Sequence, residues 1–178
     1  VYKRKVQNMQ KNTQEVRQTI IDACLWMNST GLNQGTSGNV SIRTDEGVLI
    51  TPSSLPYEDM TPADVILLPG DGLSGEAIGP HRPSSEWRFH AAIYKERADI
   101  HSVVHSHSTY ATAMSMLRRD IPSVHYMIGI FGGDSVRCAD YAHYGSQALS
   151  DNALAALKDR TGCLLGTHGM IACGGELK

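Results

Sequence analysis

The feature that most limits how this chain can fold is a series of short β-favouring runs, each closed by a turn, with helical patterns between them. Val40-Ser41-Ile42 alternates in polarity, Asp45-Glu46-Gly47 supplies a turn, and Val48-Leu49-Ile50 answers the first run. Two such runs around a glycine turn read as a β-hairpin. A further strand is expected over 65–68, ahead of Pro69-Gly70-Asp71-Gly72, and others over 100–107 and 122–130. Cys163-Leu164-Leu165 and Met170-Ile171-Ala172 read as strands around Gly166-Thr167-His168-Gly169. Helices are expected over 12–30, from Pro83-Ser84-Ser85-Glu86 onward, over 109–118 and over 145–160. In the first, Asn12 is placed as the cap with Glu15 as its reciprocal partner, and Val16, Ile20, Ala23, Cys24 and Met27 make one apolar stripe. Helices alternating with hairpin-like strand pairs specify an α/β class with a mixed or antiparallel sheet.

The 178 residues suit one compact domain, placed here over 12–178, behind a basic tail over 1–11 that carries Lys3, Arg4, Lys5 and Lys11. An apolar content of 41% with 19% charged residues argues against wholesale disorder. Sixteen basic against 18 acidic residues give a formal charge of −2, which argues against a nucleic-acid binder. No apolar run is long enough to span a membrane. Cys24, Cys138, Cys163 and Cys173 form no C-x-x-C pair and read as reduced thiols of a cytoplasmic protein.

Eight histidines are present, and two of them form the strongest local signal, His105-Ser106-His107 at the end of a strand. Residues i and i+2 of a strand share a face, so both imidazoles aim into one space and can reach one cation. His168, in a turn where Gly169 would let the chain swing sharply, is the third candidate ligand. Taken alone, a His-x-His pair is more often two surface histidines. Ser84-Ser85-Glu86 at a helix start suits an anion, although taken alone it is more often a plain cap. Gly38-Asn39 and Thr51-Pro52-Ser53-Ser54 are donor-rich turns of the kind that can cradle an anion. Neither G-x-x-x-x-G-K nor G-x-G-x-x-G occurs. Glu86 could ligate a cation in an empty site and move a proton once substrate displaces it. His81, His90, His101, His125 and His143 show no paired geometry, and His125 is favoured to lie near a site because Tyr126 follows it.

Taken in order, six segments resemble the class II aldolase/adducin family. They are Gly31 to Ser41 (GLNQGTSGNVS), Leu49-Ile50-Thr51-Pro52-Ser53-Ser54, Pro83 to His90 (PSSEWRFH), Val103-Val104-His105-Ser106-His107, Ile121 to Met127 (IPSVHYM) and His168-Gly169-Met170-Ile171-Ala172. The resemblance implies a three-layer α/β/α fold around a mixed, largely antiparallel sheet. It implies one Zn2+ per subunit on His105, His107 and His168, with Glu86 as fourth ligand in the empty site. Gly38, Asn39, Ser53, Ser54, Ser84 and Ser85 would hold a substrate phosphate, Ser53 and Ser54 standing where the family usually has Thr and Gly. Tyr126 would act at an aldehyde oxygen in the neighbouring subunit's site of a homotetramer. The reaction implied is retro-aldol cleavage of a ketose 1-phosphate, of the L-fuculose 1-phosphate type, to dihydroxyacetone phosphate and an aldehyde through a metal-stabilised enediolate. A sugar-phosphate 4-epimerase of the L-ribulose-5-phosphate type and a dehydratase are alternatives on the same scaffold. An adducin-like interaction domain is the non-enzymatic one. The family also has a C-terminal helix and tail with a further catalytic Tyr, which this chain does not include.

Overall fold

The computed structural model describes residues 10–177. Seven strands form one sheet: β1 (Asn39–Arg43), β2 (Gly47–Ile50), β3 (Ile66–Pro69), β4 (Ser102–Ser106), β5 (Cys138–Ala139), β6 (Gly162–Leu165) and β7 (Gly169–Gly174). Their order is β3-β2-β1-β4-β7-β6-β5. β5 runs parallel to β6, and every other neighbouring pair is antiparallel. The helices are α1 (Gln14–Ser29), α2 (Trp87–Glu96), α3 (Thr109–Met116) and α4 (Gln147–Ala156).

Strand alternation sorts the apolar side chains into two cores. Val40, Ile42, Leu49 and Leu67 pack with Ile20, Ile21, Cys24 and Met27 of α1. Val48, Ile50, Ile66, Leu68, Val103 and Ile171 pack with Phe89 and Ile93 of α2 and Leu149 and Ala153 of α4. The sheet therefore lies between helices on both faces, the expected three layers. β2 is buried on both sides, which is why Val-Leu-Ile runs through it without a polar break. Each such side chain withdrawn from water contributes about 1.5–3 kcal/mol.

Several local expectations are corrected. The cap of α1 is Thr13, in extended conformation, whose side chain accepts the Val16 N–H. Capping one residue later than Asn12 puts Val16 instead of Glu15 at the third helical position, so the reciprocal pair cannot form. Asn12 instead accepts from Arg17 Nε at 2.8 Å and donates to Glu46 at 2.8 Å. The run over 122–130 is not a strand. Tyr126–Phe131 winds into a 3₁₀ turn that ends on Gly132 at φ 92°, and its bridge to the sheet region is a single pairing of Ile121 with Val136. Two-residue β5 is too short to leave a sequence pattern. The serines before α2 do not cap it. Glu86 occupies the cap position with no capping bond, and Ser84 Oγ accepts the Glu86 N–H at 3.3 Å. Of the basic tail, residues 1–9 lie outside the described residues, and Gln10 bridges Thr44. Among the described residues, no helix is long and apolar enough to cross a membrane, and all four cysteines are free.

Candidate active site

The ends of β4 and β7 and the start of α2 meet at one point. The i, i+2 relation carries His105 and His107 to the same side, and their Nε2 atoms stand 2.9 Å apart. His168 arrives from the β6–β7 turn, closed by the His168 N–H donating to Leu165 O at 2.9 Å. The left-handed residue of that turn is Thr167 (φ 56°), not Gly169. Gly169 is required for space: a Cβ there would sit 2.6 Å from Ser106 O and 2.9 Å from the His107 ring. The three rings meet edge to face, and one ligand atom from each lies within 4.8 Å of the others.

His105 is fully buried, and its Nδ1 donates to Met170 O at 2.8 Å. That bond fixes the proton on Nδ1 and leaves the Nε2 lone pair facing inward. The same Nε2 lies 3.1 Å from Glu86 Oε2, and Glu86 Oε1 lies 3.2 Å from His168 Nε2. Oε1 is buried and makes no aligned hydrogen bond. The Nε2 atoms of the imidazoles and the Glu86 carboxylate oxygens thus converge at short range, an arrangement that a positive centre neutralises. Three imidazoles and a carboxylate are also the donor set that zinc and similar divalent ions take. The residues fit a divalent cation.

The electrostatics agree. Burial alone would raise the Glu86 carboxyl, but the facing His105 and His168 rings and the Asn39 amide, which donates to Oε2, hold it down to about 2. Burial, followed by His105 and His168, pushes His107 down to about 4. Burial and His105 also lower His168. Neutral imidazoles and an ionised carboxylate are the forms a cation binds.

The expected anion-binding segments also come together. Thr51 N–H donates to Val40 O at 3.1 Å, Ser53 N–H to Arg82 O at 2.9 Å and Ser84 N–H to Thr51 O at 2.9 Å. The turns at Gly38-Asn39, Ser53-Ser54 and Ser84-Ser85 are thereby held side by side. Ser54 takes a left-handed φ of 63°, and its hydroxyl lies 3.4 Å from that of Ser53. Gly38 is buried where a Cβ would lie 2.7 Å from His105 O. Asn39 is buried, and its Nδ2 donates to Glu86 Oε2 at 3.0 Å, a contact the sequence reading did not foresee.

A cavity of about 420 Å³ opens over Glu86, His107 and His168, with Thr36, Ser37, Ser85, Tyr141 and Tyr144 on its wall. Thr36 and Ser37 had a visible signal, the glycines on either side of them. Tyr141 and Tyr144 had none. Tyr126 is exposed on the 3₁₀ turn and is not on the wall of this cavity. His125, favoured by the sequence reading, caps that turn by accepting the Met127 N–H and is not on the wall of this cavity.

Comparison with known proteins places this geometry. Residues 18–178 match the model of the family described as Class II Aldolase and Adducin N-terminal domain. The chain is 47% identical over 170 residues to an L-fuculose phosphate aldolase of Escherichia coli O6:H1, covering 96% of this chain and 77% of that protein. It is 46% identical over 163 residues to a 5-methylthioribulose-1-phosphate/5-deoxyribulose-1-phosphate aldolase of Rhodospirillum rubrum, covering 92% and 72%. Among solved structures, an L-fuculose 1-phosphate aldolase superposes with a TM-score of 0.87 at 35% identity, covering 93% of this chain and 77% of that one. By sequence, by fold and by a shared match along nearly its whole length, the chain belongs to the class II aldolase family.

Proposed function

We propose that this protein is a metal-dependent aldolase that splits a ketose 1-phosphate into dihydroxyacetone phosphate and an aldehyde. The observation that carries the reading is the convergence of His105, His107, His168 and Glu86 beside a hydroxyl-rich turn cluster. A divalent ion on those residues, zinc by donor type, would polarise the substrate carbonyl and stabilise the negative charge that develops beside it. The turns at Gly38-Asn39, Ser53-Ser54 and Ser84-Ser85 would hold the phosphate, so that binding at the unreactive end orients the reacting carbons. In cleavage the C4 hydroxyl gives its proton to water at the aldehyde end, the C3–C4 bond breaks and its electron pair passes toward the carbonyl. Glu86, displaced from the cluster by substrate, takes up a proton from water and delivers it to C3. Tyr126 would stand at the aldehyde oxygen of a neighbouring subunit.

Met116, Leu117, Val124, Tyr126, Met127 and Ile130 are all exposed within one short stretch of chain. That concentration supports a subunit contact through this face, in a homotetramer with sites between subunits. Residues 12–178 are read as one domain because the two cores share a single sheet. A cytoplasmic location is in keeping with the free thiols.

The test supplies L-fuculose 1-phosphate and 5-methylthioribulose 1-phosphate in parallel, coupled to a dihydroxyacetone-phosphate reductase. Turnover abolished by chelator and restored by zinc is expected. Formation of an epimer without triose phosphate, or turnover indifferent to chelator, would overturn the reading. The second substrate is included because a relative at 46% identity bears its name.

A further inference from the structure

His90 lies one helical turn after Glu86 on α2, is fully buried and stacks on Phe89 at 4.6 Å between ring centroids. Nothing proposed for the reaction uses it. Its Nδ1 lies 2.7 Å from Ser41 Oγ, and its Nε2 is hydrogen-bonded to Asn39 Oδ1. The chain continues at both ends. Asn39 Nδ2 donates to Glu86 Oε2, while the Tyr94 hydroxyl, 2.9 Å from Ser41 Oγ, donates to Ser41 O.

The donor directions in this chain are determined. An ionised carboxylate only accepts, so the Asn39 amide must turn its NH2 toward Glu86 and its oxygen toward His90. That oxygen requires an N–H on His90 Nε2. His90 Nδ1 is then the acceptor, and Ser41 supplies its hydroxyl proton. A flipped Asn39 would set oxygen against carboxylate and NH2 against N–H. Ser41, Asn39, His90 and Tyr94 are all buried, so water cannot substitute for any partner. Burial pushes the His90 imidazole down to about 3, with His105 acting in the same sense and Glu86 against it.

We infer that His90 is a positioning residue for Glu86: its Nε2–H fixes which end of the Asn39 amide meets the carboxylate. Asn39 has a second amide N–H, so the same lock orients the donor that the phosphate turn offers. The inference rests on the role proposed for Glu86, and the experiment separates the two.

In metal-free protein labelled with nitrogen-15, His90 is expected as the neutral Nε2–H tautomer from pH 8 down to pH 5. The Nδ1–H tautomer would overturn the inference. In His90→Phe, the Asn39 side-chain amide resonances are expected to move. In the zinc-loaded variant, kcat is expected to fall about 10- to 100-fold while KM and zinc stoichiometry hold, the usual size for an outer-shell partner of a metal site. His90→Gln, whose amide can still donate to Asn39 Oδ1, is expected to recover most of the loss. An unchanged Asn39 amide, or equal kcat losses in the Gln and Phe variants, would overturn the positioning role. If the wild type cleaves neither ketose phosphate, the proposed reaction fails, and the tautomer and amide signals still decide the role of His90.

Discussion

Gly169 offers a direct measure of how tightly the imidazole cluster is held. An alanine Cβ there would lie 2.6 Å from Ser106 O, 2.9 Å from His107 Cδ2 and 3.3 Å from His105 Cε1. Carbon atoms in contact settle near 3.5 Å or beyond, so the His107 ring would have to retreat by about 0.6 Å. Ser106 O is backbone of β4, paired opposite Met170 in the sheet, and cannot give way alone. Overpacking of this kind costs about 1–3 kcal/mol. Gly174 is the matched control on the same strand, where the nearest atoms to an added Cβ stand at 3.5 Å, ordinary contact. Gly174→Ala should therefore stay within about 0.5 kcal/mol of wild type. Urea unfolding in the presence of chelator measures both, and a zinc titration of the folded proteins measures the site. Gly169→Ala is expected to unfold at lower urea and to bind zinc about 10- to 100-fold more weakly. If its urea midpoint and zinc affinity match those of Gly174→Ala, the claim that a missing methyl group defines this site is wrong.

Glu86→Gln should keep the fold and most of the bound metal while slowing cleavage by about 10²- to 10⁴-fold, read by steady-state assay. Acid should destabilise the metal-free protein. The unfolded His90 takes up a proton near pH 6.5, while burial holds the folded one to about 3. Stability is thus fully present above the unfolded value and is lost as pH falls below it, by roughly 1 kcal/mol between pH 7.5 and 5.5. His107 and His168 add loss in the same direction. Urea midpoints of wild type and His90→Gln across that range isolate the His90 share, and parallel slopes would refute it. Thr167→Gly removes a β-branched residue from the left-handed region and is expected to raise stability by roughly 0.5–1 kcal/mol. It should also loosen His168, so the variant should melt higher yet bind zinc less tightly.

What the sequence discloses follows from how local each cause is. The β1–β2 hairpin was legible because its turn and both flanking runs lie within a dozen residues. The His105–His107 pair was legible because a two-residue period in a strand has one outcome. Two strands of different lengths of evidence show the limit: β6 announces itself in Cys163-Leu164-Leu165, while Cys138–Ala139 becomes a strand only because β6 offers it an edge. The apolar run after Pro122 reads as a strand, yet among the described residues no strand pairs with it, and the segment coils on itself with most of its side chains outward. Within the site, Glu86 and the imidazoles carried a chemical signature. His90 and Ser41 did not, because their importance comes from a neighbour 51 and 49 residues away in the chain. Asn39 was picked out for its donors, but its bond to Glu86 could be seen only once α2 was laid against β1.

Among the described residues β7 is the latest of the seven strands in chain order, and yet it lies in the interior of the sheet, between β4 and β6. A ribosome that has released β4 has already produced two of the imidazoles, but they have no third arm to close on and no Met170 carbonyl to set the tautomer of His105. Synthesis must pass β7, and that strand must slot between two older ones, before all three imidazoles can meet. A cation held by all three imidazoles therefore requires β7 in place, so the sheet must be joined before the site is whole.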